Sequence, residues 1–310
     1  LLCGANNFVV GRKPQIQSQR IADRRTERCM IIRTVDFESA DAGQQLVGSL
    51  RETGFGVLSN HPIAGSQLDS IYRGWGAFFN SDEKNAFLFD ADNYDGTQQG
   101  YYPPQVSETA VGHTARDIKE FFHVVPEGRI PADLREEILE YRQSTFNLGQ
   151  KIVSWIQRFT PSGVTAGLKE PLTDMLCSSA SLLRILHYPP LSGGEEEGAE
   201  RAAAHEDINL ITILPVAEQP GLQVKDNDKH WIDVASRRGE LVINSGDMLR
   251  EVTGGYFPST THRVVNPLAA KDNVSRVSLP FFLTPRLDCV LSERYTSGSY
   301  LEERLKLITR

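Results

Sequence analysis

The sequence predicts an α+β fold with a mainly β core, a β-barrel or jelly roll buttressed by N-terminal helices. Three observations predict it. Between residues 40 and 160 apolar side chains recur at helical spacing on three long segments. From Leu182 onward the texture changes to short β-rich runs parted by turns at Gly193-Gly194, Asp226-Asn227-Asp228 and Gly254-Gly255. No internal repeat interrupts that order, so one integrated domain is expected.

Each element has its own reason. Met30 to Phe37 alternates and is β-branched, hence a strand. Leu46, Val47 and Leu50 give residues 40–53 a helical face. Glycines bracket a short apolar strand over 54–58. Residues 66–80 place Leu68, Ile71, Tyr72, Trp75, Phe78 and Phe79 at helical spacing, and these aromatics read as core packing. Residues 90–115 are rich in turn formers and read as a loop; residues 116–125 are short and apolar at their end. Pro131 opens a long amphipathic helix to Arg158, with Leu134, Ile138, Tyr141, Leu148, Ile152 and Trp155 on its apolar face. Strands are then expected at 182–188, 208–214, 222–225, 231–233, 240–244, 261–265 and 276–283, with a closing helix at 300–310. The chain divides into residues 1–29, a helical region at 30–160, a jelly-roll core at 178–290 and a C-terminal helical segment at 291–310.

Residues 1–29 hold six basic side chains against two acidic ones and show no hydrophobic period. Their charges follow the short apolar stretch instead of preceding it, unlike a secretory signal. They are expected to be disordered or to be an upstream extension, with the first Met at Met30.

Bulk properties exclude several classes. A chain of 310 residues, 40% hydrophobic, buries a sizeable core without cross-links. A net charge of −7 argues against nucleic acid or an anionic membrane as the main partner. No apolar run approaches the roughly 20 residues of a membrane-spanning helix. A small-molecule partner and a cytoplasmic location are expected; nothing in the sequence fixes the oligomeric state. Cys3, Cys29, Cys177 and Cys289 are far apart, so reduced thiols are expected and zinc held by cysteines is not. Glu195-Glu196-Glu197 reads as a solvated loop.

The chemistry-bearing residues lie in the β half. His205 and Asp207 are two apart, which on a strand puts both side chains on one face. His262 supplies a third donor across the sheet. Two imidazoles and one carboxylate leave an Fe(II) complex with a charge of about +1 and open positions for a chelating 2-oxo acid and O2. Arg276 and Ser278 are again two apart within an apolar run. A guanidinium fork beside a hydroxyl is a receptor for a buried carboxylate. His61, His113, His123 and His230 show no ligand spacing.

The order and flanking text of these residues resemble the isopenicillin N synthase-like family of Fe(II)/2-oxoglutarate-dependent oxygenases. The matching stretches are RILHYPP (184–190), AHEDINLITILP (204–215), PGLQV (220–224), NSGDML (244–249), STTHRVVNP (259–267) and SRVSLPFFL (275–283). VDF (35–37), GFGVLSNHPI (54–63) and DIKEFF (117–122) extend the likeness over nearly everything from Met30 onward. The resemblance implies a double-stranded β-helix, with His205, Asp207 and His262 as iron ligands. It implies that Arg276 and Ser278 hold the distal carboxylate of 2-oxoglutarate and that Tyr188 hydrogen-bonds the co-substrate. The implied chemistry decarboxylates 2-oxoglutarate to succinate and CO2 with O2, and hydroxylates, desaturates or cyclises a small-molecule substrate. One position departs from it: many plant-type members carry Asn two residues before that tyrosine, and this chain has Leu186.

Phe281, Tyr101 and Tyr102 are the candidates for the substrate pocket, the tyrosines as part of a lid over 100–104. Within the same fold, the rival is an Fe(II) oxidase of the isopenicillin N synthase type, which takes its electrons from the substrate and needs no 2-oxo acid. Outside it, a zinc hydrolase or a jelly-roll binding protein competes, since zinc accepts the same donors. The Arg276/Ser278 seat for a second carboxylate argues against the hydrolase, and three converging ligands argue against a binder.

Overall fold

The computed structural model describes residues 30–90, 98–106, 115–216, 219, 221–267 and 269–308; residues 1–29, with the expectation made for them, lie outside that range. The N-terminal region runs β1 (Thr34–Asp36), α1 (Ala42–Thr53), β2 (Phe55–Ser59), α2 (Gly65–Phe79), β3 (Gly100–Tyr102), β4 (Glu120–Val124) and α3 (Ala132–Phe159). Two short helices, α4 (Ser162–Thr165) and α5 (Leu172–Met175), lead to β5 (Leu182–Tyr188). Then come β6 (Ala202–His205), β7 (Ile211–Pro215), β8 (Leu222–Lys225), β9 (Trp231–Asp233) and β10 (Leu241–Ser245). The chain continues through α6 (Asp247–Val252), β11 (His262–Val264), β12 (Arg276–Ser278), β13 (Phe281–Leu283) and α7 (Ser297–Ile308).

These strands form the two sheets of a jelly roll. The larger is ordered β1-β2-β10-β7-β13-β5-β4-β3, with β12 also on β5; the smaller is β6-β11-β8-β9. Strands from the N-terminal region occupy both ends of the large sheet, so it is built from both halves of the sequence. One face of that sheet packs on the helices. Phe122 meets Trp75 and Phe78 of α2 at 5.0 and 5.7 Å between ring centroids, and Phe281 meets Phe146 of α3 at 6.5 Å. The other face looks across a bore to the small sheet, where Phe121, Leu186 and Tyr188 cluster with Ala202 and Val264. Among the described residues no helix is long and apolar enough to cross a membrane.

Three departures from expectation have local causes. The run 276–283 divides into β12 and β13 at Leu279-Pro280, because proline has no N–H to give a ladder; the Pro280 carbonyl still accepts from Arg184 N–H at 3.1 Å. The strand expected from Ile208 begins only at Ile211, while residues 202–205 form a strand of the other sheet. Part of the expected 90–115 loop, Gly100–Tyr102, pairs with β4.

Residues 206–210 link the two sheets and are pinned by the start of α6. Asp247 N–H donates to Asp207 O at 2.7 Å, and Met248 N–H to Ile208 O at 3.1 Å. Gly246 makes this approach possible: a Cβ there would sit 2.2 Å from Asn209 O and 2.9 Å from Asp207 O. Both neighbours are backbone atoms and cannot swing aside. Gly246→Ala is therefore expected to destabilise the protein by about 1–3 kcal/mol, the range for overpacked sites, in denaturant unfolding with chelator present.

Candidate metal centre

His205 ends β6, His262 opens β11, and the two are register partners across the small sheet. Their ring centroids lie 4.4 Å apart. Asp207 does not share a strand with His205, since β6 stops at His205. The linker held by α6 returns its carboxylate to the histidines. Asp207 Oδ1 lies 3.7 Å from His205 Nε2 and 3.8 Å from His262 Nε2. The donor atoms of all three residues fall within 4.8 Å of one another.

The far side of each donor is engaged. His205 Nδ1 meets Ala203 O at 2.8 Å, and His262 Nδ1 meets Thr260 O at 3.1 Å. A carbonyl can only accept, so Nδ1 carries the proton and Nε2 offers its lone pair to the centre. Asp207 Oδ2 accepts from Thr212 Oγ1 at 2.5 Å and Asn244 Nδ2 at 2.8 Å, which turns Oδ1 toward the imidazoles. Burial, and then the neighbouring His262, bring the pKa of His205 down to about 4, so its ring is neutral at neutral pH. Burial opposes the charge on Asp207, but the two imidazoles and the two hydrogen bonds outweigh it and hold the carboxyl below its usual range. Two imidazoles and an oriented carboxylate form a donor set that fits Fe(II) with positions left open. Thr212→Val is expected to weaken Fe(II) binding about 10- to 100-fold, the cost of losing an outer partner of a ligand, in a metal titration with the fold checked by circular dichroism.

Register builds the wall beside this centre. Arg276 pairs with Tyr188 and Ser278 with Leu186 on one side of β5; Phe121 pairs with Leu186 on the other. Alternation sends these side chains to the bore and sends His187 and Glu120 to the helix side. There His187 stacks on Phe79 at 5.1 Å and bonds Glu120 at 2.6 Å, so it does not reach the bore. The Arg276 guanidinium lies 5.8 Å from the Tyr188 ring centroid. Both residues are buried, which lowers the pKa of Arg276 and raises that of Tyr188. Leu186 sits in the apolar group with Phe121, Tyr188, Ala202 and Val264.

Of the three pocket candidates, Tyr102 faces the bore, stacked between Phe89 at 4.8 Å and Phe121 at 4.7 Å. Tyr101 does not: its hydroxyl donates to Glu120 on the helix side. Phe281 does not either. It is fully buried against α3, with the Arg142 guanidinium 5.4 Å over its ring. Its neighbour Phe282 keeps the parity of Ser278 and faces the bore.

Sequence reasoning missed Thr212 and Asn244, although both lie inside the motif stretches. It also missed the buried pair Asp117–Lys119, in contact at 2.7 Å. Asp117 Oδ1 accepts from Ala203 N–H at 3.0 Å, so the pair anchors the residue whose carbonyl, in the following peptide, orients His205.

Comparison with known proteins agrees with this geometry. Residues 179–285 match the family model of the 2OG-Fe(II) oxygenase superfamily. Residues 32–145 match that of the non-haem dioxygenase in morphine synthesis N-terminal region. A solved structure from Shewanella oneidensis, described as an oxygenase, is 51% identical, covering 89% of this chain and 97% of that chain with a TM-score of 0.80. One from Caulobacter crescentus, described as a 2OG-Fe(II) oxygenase family protein, is 30% identical over 89% of this chain and 98% of that one, with a TM-score of 0.72. A 2-oxoglutarate-Fe(II) type oxidoreductase of Aspergillus fumigatus is 34% identical over 154 residues, 49% of this chain. The match spans 43% of that relative's length. On its fold, its convergent donors and these matches, the chain belongs to the 2OG-Fe(II) oxygenase superfamily.

Proposed function

We propose that the protein is a non-haem Fe(II)- and 2-oxoglutarate-dependent oxygenase acting on a small molecule. The observation that carries this reading is the convergence of His205 Nε2, His262 Nε2 and Asp207 Oδ1 beside the Arg276–Ser278–Tyr188 wall. Those three atoms would hold Fe(II). When bound, the metal and its 2-oxo acid supply the O2 chemistry that couples decarboxylation to oxidation of a substrate C–H bond. The residues do the rest. The Arg276 fork and the Ser278 hydroxyl bind the distal carboxylate of 2-oxoglutarate, and the Tyr188 hydroxyl hydrogen-bonds the co-substrate. Leu186, Phe121, Ala202 and Val264 keep water from its aliphatic middle. Residues 30–160 buttress the 178–290 core, and 291–310 closes it. The acidic net charge supports a metabolite, not a nucleic acid, as partner, and the free thiols of Cys177 and Cys289 support a cytoplasmic setting.

An oxidase that draws its electrons from the substrate is favoured by one observation, the apolar Leu186 where many plant-type members of the family carry Asn for the co-substrate. Anaerobic titration of Fe(II)-loaded protein with 2-oxoglutarate separates the two. A saturating visible charge-transfer band, followed in air by one succinate for each 2-oxoglutarate consumed, supports the oxygenase. Iron binding without a band favours the oxidase, and failure to bind iron overturns both.

A further inference from the structure

A second arginine is buried close to Arg276. Arg201 stands just before β6 and is only 1% exposed. Its backbone N–H donates to Asn266 Oδ1 at 3.0 Å, and Asn266 Nδ2 donates to Ala199 O at 2.7 Å, so its place on the chain is fixed. Its Nη2 donates to Val274 O at 2.8 Å, two residues before Arg276. Its Nε–H is buried with no acceptor. Among the described residues no carboxylate pairs with this guanidinium; burial, and then the like charge of Arg276, lower its pKa. An enclosed cation near another cation, with a donor left over, is unfavourable unless an anion joins them.

The Arg276 side chain reaches the same place from the other sheet. Its Nη1 lies 3.5 Å from where a Cβ on Gly221 would stand, a point 3.8 Å from Val264 Cγ1. Val264 is the register partner of Ala202, the residue next to Arg201. The two arginines therefore approach one end of the bore, Arg276 from β12 of the large sheet and Arg201 from the start of β6 in the small one. The distance from there to the metal donors fits one molecule. Val264 is two residues from His262 along β11, about 7 Å at roughly 3.3 Å per residue. The four C–C bonds of 2-oxoglutarate, about 1.5 Å each, span about 6 Å. A 2-oxo acid chelated at the level of His262 thus brings its far carboxylate to the level of Val264, between the two cations.

We propose that Arg201 is a specificity-determining contact of the co-substrate, completing with Arg276 a two-guanidinium seat that selects 2-oxo acids ending in a carboxylate. This deepens the oxygenase reading above and rests on it. The distal carboxylate is shared between two cations, and its charge relieves the repulsion between them. A 2-oxo acid ending in a methyl group leaves both cations buried without an anion and is rejected.

The test is anaerobic titration of Fe(II)-loaded protein with 2-oxoglutarate and with 2-oxopentanoate, the five-carbon 2-oxo acid that lacks the distal carboxylate. Both are followed by the visible charge-transfer band. Arg201→Gln is expected to weaken 2-oxoglutarate by about tenfold or more, the loss of one charge-assisted contact. The same variant should bind 2-oxopentanoate as tightly as the native protein or tighter. Arg201→Met, which fills similar space without a polar group, should behave alike and carries the test if the Gln variant does not fold. Fe(II) affinity, titrated first, should be native in both. A role limited to holding Val274 would instead weaken both acids in equal proportion, and that result overturns the inference. Native 2-oxoglutarate affinity in either variant overturns it too, as does failure of both variants to fold, since a cation kept for a ligand is dispensable to folding. If the native iron protein forms no band with 2-oxoglutarate, the oxygenase reading itself fails and takes this inference with it.

Discussion

Asp207→Ala is expected to abolish Fe(II) binding, raising Kd by more than roughly 100-fold, beyond the loss seen when only an outer partner of a ligand is removed. Asp207 supplies the one anionic donor of the three, and its Oδ1 lies within 4 Å of both imidazole Nε2 atoms. Without it the site is two neutral imidazoles, which hold a divalent cation weakly. The substitution also strips Thr212 and Asn244 of a buried acceptor. Each orphaned group costs about 1–3 kcal/mol, so stability should fall as well. His262→Ala separates the two effects. It removes a donor whose outer partner is a single carbonyl, and so should lose metal with less loss of stability. Titration with Fe(II), with unfolding followed in parallel, reads both. Near-native affinity in either variant would remove the centre from His205, Asp207 and His262.

Arg276→Ala is expected to weaken 2-oxoglutarate binding by about 2–5 kcal/mol, because the incoming carboxylate would lose its partner in a buried site. Arg276 is almost fully buried and stands over Tyr188, so water cannot substitute for the guanidinium at low cost. Fe(II) affinity should hardly change, since Arg276 touches none of the three donors. The 2-oxoglutarate dependence of succinate release reads the effect. If the variant keeps its affinity for 2-oxoglutarate and loses affinity for a substrate instead, Arg276 is a substrate contact and the oxidase reading moves ahead.

The residues of the metal centre were legible in the sequence because chemistry-bearing types sit inside distinctive flanking text, and strands such as Leu182–Tyr188 were legible because their apolar runs are bounded by turns. The reason given for His205 and Asp207 was not the structural one. The i, i+2 rule presumed one strand, whereas the chain crosses between sheets after His205 and a glycine-dependent contact returns Asp207 to it. The sequence reading names Phe281 for the pocket, although Ser278 faces the bore and Phe282, not Phe281, keeps its parity. Tyr101 and Tyr102 posed the same one-residue choice. Side-chain direction flips with each step along a strand, so an error of one residue moves an assignment from pocket to core. The short helices α4, α5 and α6 left no periodic trace, because four to six residues make fewer than two turns and are too brief to show a period.

The large sheet also governs how the molecule comes to exist. Ser245 Oγ donates to Gly54 O across 191 residues of sequence, along the seam where β2 meets β10. A growing chain therefore exports β1 through β4 long before their partners β10 and β5 are made. Closing such large loops delays pairing and makes refolding slow for a protein of this size. Until it happens, apolar edges around Phe55 and Phe122 stand unprotected and invite association with other chains. Changes along the β2–β10 seam away from Asn244 and Phe55, which touch the metal ligands, should consequently show first as low soluble yield, with the molecules that do fold retaining ordinary turnover.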